Sequence, residues 1–155
     1  MRSLVVAGLL LAGVAGPFDI TLINTRSAPD AKGTARLVYA SSPFGVAVNE
    51  DGVASYDLQL ELTGLPDPAS LGQYTTYVAW AATTDLSEWH RLGTVRNGAN
   101  TVGQIELNKF LVVISAEADS LGTKKVGPTV LHGTSPSSWL QSFLSHPLFR
   151  GIPPG

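Results

Sequence analysis

The stretch that decides the fold is YDLQLEL, residues 56–62. Tyr56, Leu58, Leu60 and Leu62 alternate with Asp57, Gln59 and Glu61. A repeat of two puts the apolar set on one face and the polar set on the other, as in a strand with one face buried and one in water. A helix would scatter the leucines around its axis. On either side the chain is punctuated. Asn49-Glu50-Asp51-Gly52 precedes it with an Asp-Gly pair suited to a tight hairpin, and GLPDPASLG (64–72) follows as a Pro- and Gly-rich loop.

Working outward, the same grammar recurs. TARLVYA (34–40) and PFGVAV (43–48) read as strands before the turn. YTTYVAWAAT (74–83) places Thr76, Val78 and Trp80 on one face and Tyr77, Ala79 and Ala81 on the other. Both faces are apolar enough for a central strand. WHRLGTV (89–95) returns after TDLSE, Asn97-Gly98 turns the chain again, and TVGQIEL (101–107) alternates. FLVVISAEA (110–118) is a buried run, SLGTKKVG (120–127) a polar loop, and PTVLHG (128–133) a last strand with Pro128 only at its start. About eight strands at roughly ten-residue spacing predict an all-β fold, an immunoglobulin-like antiparallel β-sandwich over residues 34–134. Strands do not alternate with long helices, which argues against a parallel α/β sheet.

The ends read differently. MRSLVVAGLLLAGVA has an early Arg2, an apolar run and small residues at its close, the layout of a signal peptide over residues 1–15. Export to the periplasm or exterior follows, and the run is too short for a permanent membrane span. Residues 16–33 read as a flexible polar lead-in. Near the C-terminus, Ser135 can cap and Pro136 suits a first helical turn, so a short helix is expected over 135–147. Trp139, Leu140, Phe143 and Leu144 would share one face, either packed on an open end of the sandwich or docked on a partner. Residues 148–155, ending in Gly-Ile-Pro-Pro-Gly, read as the start of a stiff interdomain linker.

Composition narrows the chemistry. With 44% hydrophobic residues against 14% charged, the 155-residue chain can bury a core. A net charge of -2 without a basic block argues against nucleic-acid binding. The absence of cysteine removes disulfides, thiolate metal sites and a cysteine nucleophile. His90, His132 and His146 lack metal-ligand spacing, although His90 and His132 could meet across the sheets. HGTSPSS holds Gly133 and Ser135 but no closing glycine for a nucleophile elbow. The carboxylates Asp57, Glu61, Asp67, Asp85, Glu88 and Glu106 fall on solvent faces or in turns. Glu117, after a buried strand, is the exception: a partly buried acid with a structural hydrogen bond. No catalytic residue, cofactor or metal site is therefore expected, and the chain reads as non-enzymatic.

Tyr74, Tyr77, Trp80 and Trp89 gather around one hairpin. Such aromatics hold strand register or form a platform for a glycan, peptide or small molecule. Trp80's apolar neighbours place it in the core. Trp89, beside a loop, is open to either reading, and Tyr77, Trp89 and His90 form the candidate ligand surface.

Two resemblances rest on these segments. T-x-Y-V-x-W-A at 75–81, Leu92-Gly93, the run from Phe110 to Glu117, and G-P-x-V-L at 127–131 together resemble the extracytoplasmic β-sandwich of anti-sigma-K-type factors. A longer set, including SPFGVAV, LTGLPDPASLG, YTTYVAWAATTDL, GPTVLHGTSPSSW and QSFLSHPLFRGIPP, is similar to an N-terminal extension of some secreted bacterial multicopper oxidases. The second resemblance implies export, a β-sandwich and a partner in the cupredoxin domains of such an oxidase, in the same or a neighbouring chain. It implies no copper ligand here, because the copper-binding His-x-His and His-Cys-His motifs of those domains have no counterpart in this sequence.

Overall fold

A computed structural model describes residues 19–39, 41–42, 45–46, 56–106 and 109–135. The expected signal peptide, the expected turn at 49–52, the expected helix with its face of Trp139, Leu140, Phe143 and Leu144, and the expected linker lie outside the described residues, apart from Ser135.

Among the described residues there are ten strands: β1 (Asp19–Asn24), β2 (Lys32–Tyr39), β3 (Ser41–Ser42), β4 (Gly45–Val46), β5 (Tyr56–Thr63), β6 (Thr76–Ala82), β7 (Trp89–Val95), β8 (Gly98–Ile105), β9 (Leu111–Glu117) and β10 (Thr129–Thr134). Eight of them form one antiparallel sheet in the order β7-β6-β9-β10-β1-β2-β5-β8, and β3 pairs with β4. The helical content among the described residues is one 3-10 turn, Pro68–Leu71. Its first turn is capped by the Asp67 carboxylate, which accepts from the Ala69 N–H at 3.0 Å.

β1 joins the two halves of the sheet. Asp19–Leu22 pairs with β2, while Ile23 and Asn24 pair with β10. The expected lead-in over residues 16–33 is thereby corrected: its middle is a central strand. Ile20 and Leu22 point into the core, 2% and 5% exposed, and Ala28 and Ala31 in the following turn are buried too. Two inward residues are too few to stand out as a period, and Ile23 next to Leu22, 58% exposed, breaks the alternation. Asp19 is polar for its own reason, since it accepts from Arg36 on β2 at 2.7 Å.

The alternation of β5 is realised from Leu58 onward, while Tyr56 and Asp57 are both half-buried. Leu58, Leu60 and Leu62 are at most 2% exposed, whereas Gln59 and Glu61 face solvent. Each leucine so buried stabilises by about 1.5–3 kcal/mol. β6 and β9 are buried on both faces. Tyr77, Ala79, Val112 and Ile114 enter the main core, and Val78, Trp80 and Val113 form a second, smaller cluster on the outer side.

The sheet is nearly closed. β7 and β8 stand at opposite ends of the order yet follow each other in the chain and lie close together. Glycine permits the approach: a Cβ on Gly103 would lie 3.1 Å from the Leu92 carbonyl oxygen, and one on Gly93 would lie 3.3 Å from Val102 Cγ1.

Candidate functional site

The β6–β7 register sorts the candidate ligand residues. Ala82 faces Trp89, Ala81 faces His90 and Trp80 faces Arg91, with a bulge between Ala79 and Trp80. Directly opposed residues share a face. Trp89 therefore stands on the outer side near Trp80, and His90 stands on the side of Ala81, toward the interior edge. Tyr77 is inside. It is 4% exposed, and its phenol donates to the Pro66 carbonyl at 2.7 Å. Burial, helped by the Asp67 charge, pushes this phenol above its ordinary pKa. The expected surface of Tyr77, Trp89 and His90 is corrected: strand parity turns Tyr77 and His90 to the inner side, with Tyr77 buried, and Trp89 to the outer one.

On the outer side a polar chain runs beneath an aromatic lid. Trp89 meets Trp80 edge to face, with ring centroids 6.5 Å apart and planes at 83°. Trp80, 1% exposed, donates its indole N–H to Ser115 Oγ at 2.9 Å. Ser115 donates in turn to Glu117 Oε1 at 2.5 Å. Glu117 is 4% exposed and accepts from the Gly127 N–H at 3.1 Å and the Val126 N–H at 3.3 Å. The expectation of a structural hydrogen bond at Glu117 understates its role. This carboxylate fastens the loop between β9 and β10 onto the sheet.

Gly127 fits under that fastening only because it lacks a side chain, since a Cβ there would lie 1.6 Å from the Ala116 carbonyl oxygen. The loop is also tied to β7. The Arg91 guanidinium donates to the Ser120 carbonyl, and Lys125 Nζ sits 5.8 Å from the Trp89 ring centre while donating to the Gly127 carbonyl at 2.8 Å. Trp89 completes the closure by donating its indole N–H to the Leu86 carbonyl at 3.1 Å. The aromatic hairpin is thus engaged with its own protein on edge and face.

The turn that carries Leu86 is organised by Asp85. Its carboxylate accepts from Thr83 Oγ1 at 2.6 Å, Ser87 Oγ at 2.7 Å and the Ser87 N–H at 3.1 Å. These bonds, Thr83 first, hold the Asp85 carboxyl down to about 2. Leu86 adopts φ 61° and stays 51% exposed. Leu121 and Val126 on the β9–β10 loop stand still further out, at 81% and 84%.

His132 lies on the outer side of β10 opposite Val113, in a row that runs through Trp80 to Arg91. Three strand spacings, about 14 Å, separate that row's ends, so His132 and His90 do not come together. Among the described residues no group of three His, Asp or Glu side chains could hold a metal ion, and no helix is long and apolar enough to cross a membrane. A groove of about 570 Å³ crosses β1, β2, β5 and β8, lined by Asp19, Arg36, Gln59, Glu61 and Thr101 among others. These are side chains that alternation turns to solvent.

Sequence reasoning did not find the seam between β7 and β8. Beyond the close approach at Leu92 and Gly103, the strands leave a cavity of about 200 Å³ lined by Ala81, His90, Gln104, Ile105 and Glu106. Only the register of three strands brings these residues together. Comparison with protein-family models, curated proteins and solved structures finds no match to this chain.

Proposed function

We propose that the chain is a non-catalytic interaction module, exported after removal of residues 1–15 and acting as an accessory to a partner protein. Its strands would form two facing leaves, β1-β2-β5-β8 and β10-β9-β6-β7, as an immunoglobulin-like sandwich followed by the short helix at 135–147. The partner is the cupredoxin part of a multicopper oxidase, as the sequence resemblance implies.

The observation that carries the reading is the mounting of Leu121 and Val126. Large apolar side chains this exposed are costly to keep in water. Here they sit on a loop fixed by a buried carboxylate, Glu117, rather than on a free one. A fixed loop loses little conformational freedom on association. The hydroxyl and acid groups of Ser115, Glu117 and Asp85 are engaged in holding loops.

The test is titration calorimetry of the purified chain with the cupredoxin domains of a multicopper oxidase from the same cell. The expected result is binding that the double change Leu121→Asp, Val126→Asp abolishes without altering thermal stability. No binding by the native chain would overturn the proposal. So would copper-dependent phenol oxidation by this chain alone.

A further inference from the structure

We propose that the open end of the β7–β8 seam is a binding site for a compact apolar group that carries an amine, independent of the partner surface above. The two strands are chain neighbours that do not hydrogen-bond to each other, although they end the sheet order on either side of its gap. Gly93 and Gly103 let them touch beside the turn. Past that contact the seam parts, with His90 on one strand and Gln104 on the other, over a cavity of about 200 Å³.

The cavity has a floor and a rim of different chemistry. Ala81 and Ile105 form the floor and are 1% and 2% exposed, so the opening reaches the main core. His90, Gln104 and Glu106 are exposed and form the rim. An apolar floor with a few convergent polar groups is the usual construction of a small-molecule site. A dry cavity of about 150 Å³ admits benzene, so a ring or short alkyl chain fits this one.

The rim selects the head group. Glu106 lines it directly, and Glu88 lies 3.7 Å from His90 across an exposed contact. Exposed pairs of this kind are weak and yield readily to another partner. Two carboxylates beside one mouth favour an ammonium group over an anion. A free amine and a lysine side chain of a peptide share this chemistry.

The experiment is an amide chemical-shift titration of the full chain with benzylamine, benzyl alcohol and Nα-acetyl-lysine amide. Benzylamine should move the amides of His90, Gln104, Ile105 and Glu106 with a Kd of about 1 mM, roughly a third of the binding energy its size would allow at most. Glu106→Gln should weaken benzylamine about fivefold and leave benzyl alcohol unchanged. Ala81→Leu should block both. If that buried change unfolds the chain, the surface change Glu106→Gln decides alone. Tighter binding of the lysine amide would identify a peptide side chain as the source; tighter binding of benzylamine would identify a free amine. Shifts that map elsewhere, or equal benzylamine affinity in Glu106→Gln, would overturn the proposal.

Discussion

Replacing Glu117 by glutamine tests whether one carboxylate fastens the β9–β10 loop. The change preserves size but removes charge and one acceptor oxygen. Glu117 accepts from three groups: Ser115 Oγ at 2.5 Å, the Gly127 N–H at 3.1 Å and the Val126 N–H at 3.3 Å. If the new NH2 faces Gly127, two donors oppose each other in a buried space. If it faces Ser115 instead, one oxygen must serve both loop amides without its charge. Hydrogen bonds to a charged group contribute about 1.5–3 kcal/mol each. The loss of one, with the other weakened, comes to about 3 kcal/mol, and at roughly 2–4 °C per kcal/mol the melting temperature should fall by about 9 °C. Thermal unfolding followed by tryptophan emission reads this directly, because Trp80 and Trp89 lie over the same chain of bonds. Hydrogen exchange at Val126 and Gly127 reads the local part. A variant that melts within about 1 °C of the native chain and protects both amides equally would refute the reasoning.

Three further outcomes follow from the same geometry. Gly127→Ala should cost at least about 3 kcal/mol by denaturant unfolding, because its Cβ would lie 1.6 Å from the Ala116 carbonyl oxygen. Asp85 should titrate at about 2 by carboxyl NMR. Its folded value lies below the unfolded one, near 4, so its stabilisation is whole above that pH and is lost as pH falls toward about 2; Thr83→Ala should bring the titration back up. Tyr77→Phe should destabilise by about 1 kcal/mol, since the Pro66 carbonyl loses its donor, and should remove from the phenol absorbance titration a component that lies above the ordinary tyrosine value.

How far the sequence could be read depended on how many residues carried each signal. YDLQLEL holds four apolar residues at a strict period, and the structure places that strand with Leu58, Leu60 and Leu62 inside. β1 has only Ile20 and Leu22 pointing inward, and the exposed Ile23 interrupts their alternation, so its sequence reads as a lead-in. Glu117 stood out because an acid directly after a buried run needs partners; which amides would meet it depended on a loop that folds back over the sheet. Tyr77 and Trp89 were grouped by closeness along the hairpin. Their faces follow from register, and the bulge between Ala79 and Trp80 shifts that register by a residue in a way no local pattern announces.

The two halves of the sheet meet water in opposite ways, and this asymmetry connects the fold to its proposed use. The outer sides of β2 and β5 carry Thr34, Arg36, Gln59 and Glu61, which face solvent, with Arg36 also paired to Asp19. The outer side of β6 and β9 carries Val78, Trp80 and Val113, which solvent would destabilise. Trp89 and Leu111 pack against that side, and the β9–β10 loop is held next to Trp89 by the hydrogen bonds of a buried Glu117 and by Lys125 rather than by more apolar surface. Holding the loop has a second effect. Val126, whose N–H Glu117 holds, and Leu121, beside the Ser120 carbonyl that Arg91 holds, stand 84% and 81% exposed on that loop. A change that loosens Glu117 should therefore weaken partner binding even though the carboxylate itself is buried, whereas Leu121→Asp should weaken binding and leave the melting temperature alone. Separation of those two effects would tie the interaction to the loop's mounting, and loss of binding from Leu121→Asp only through unfolding would break that link.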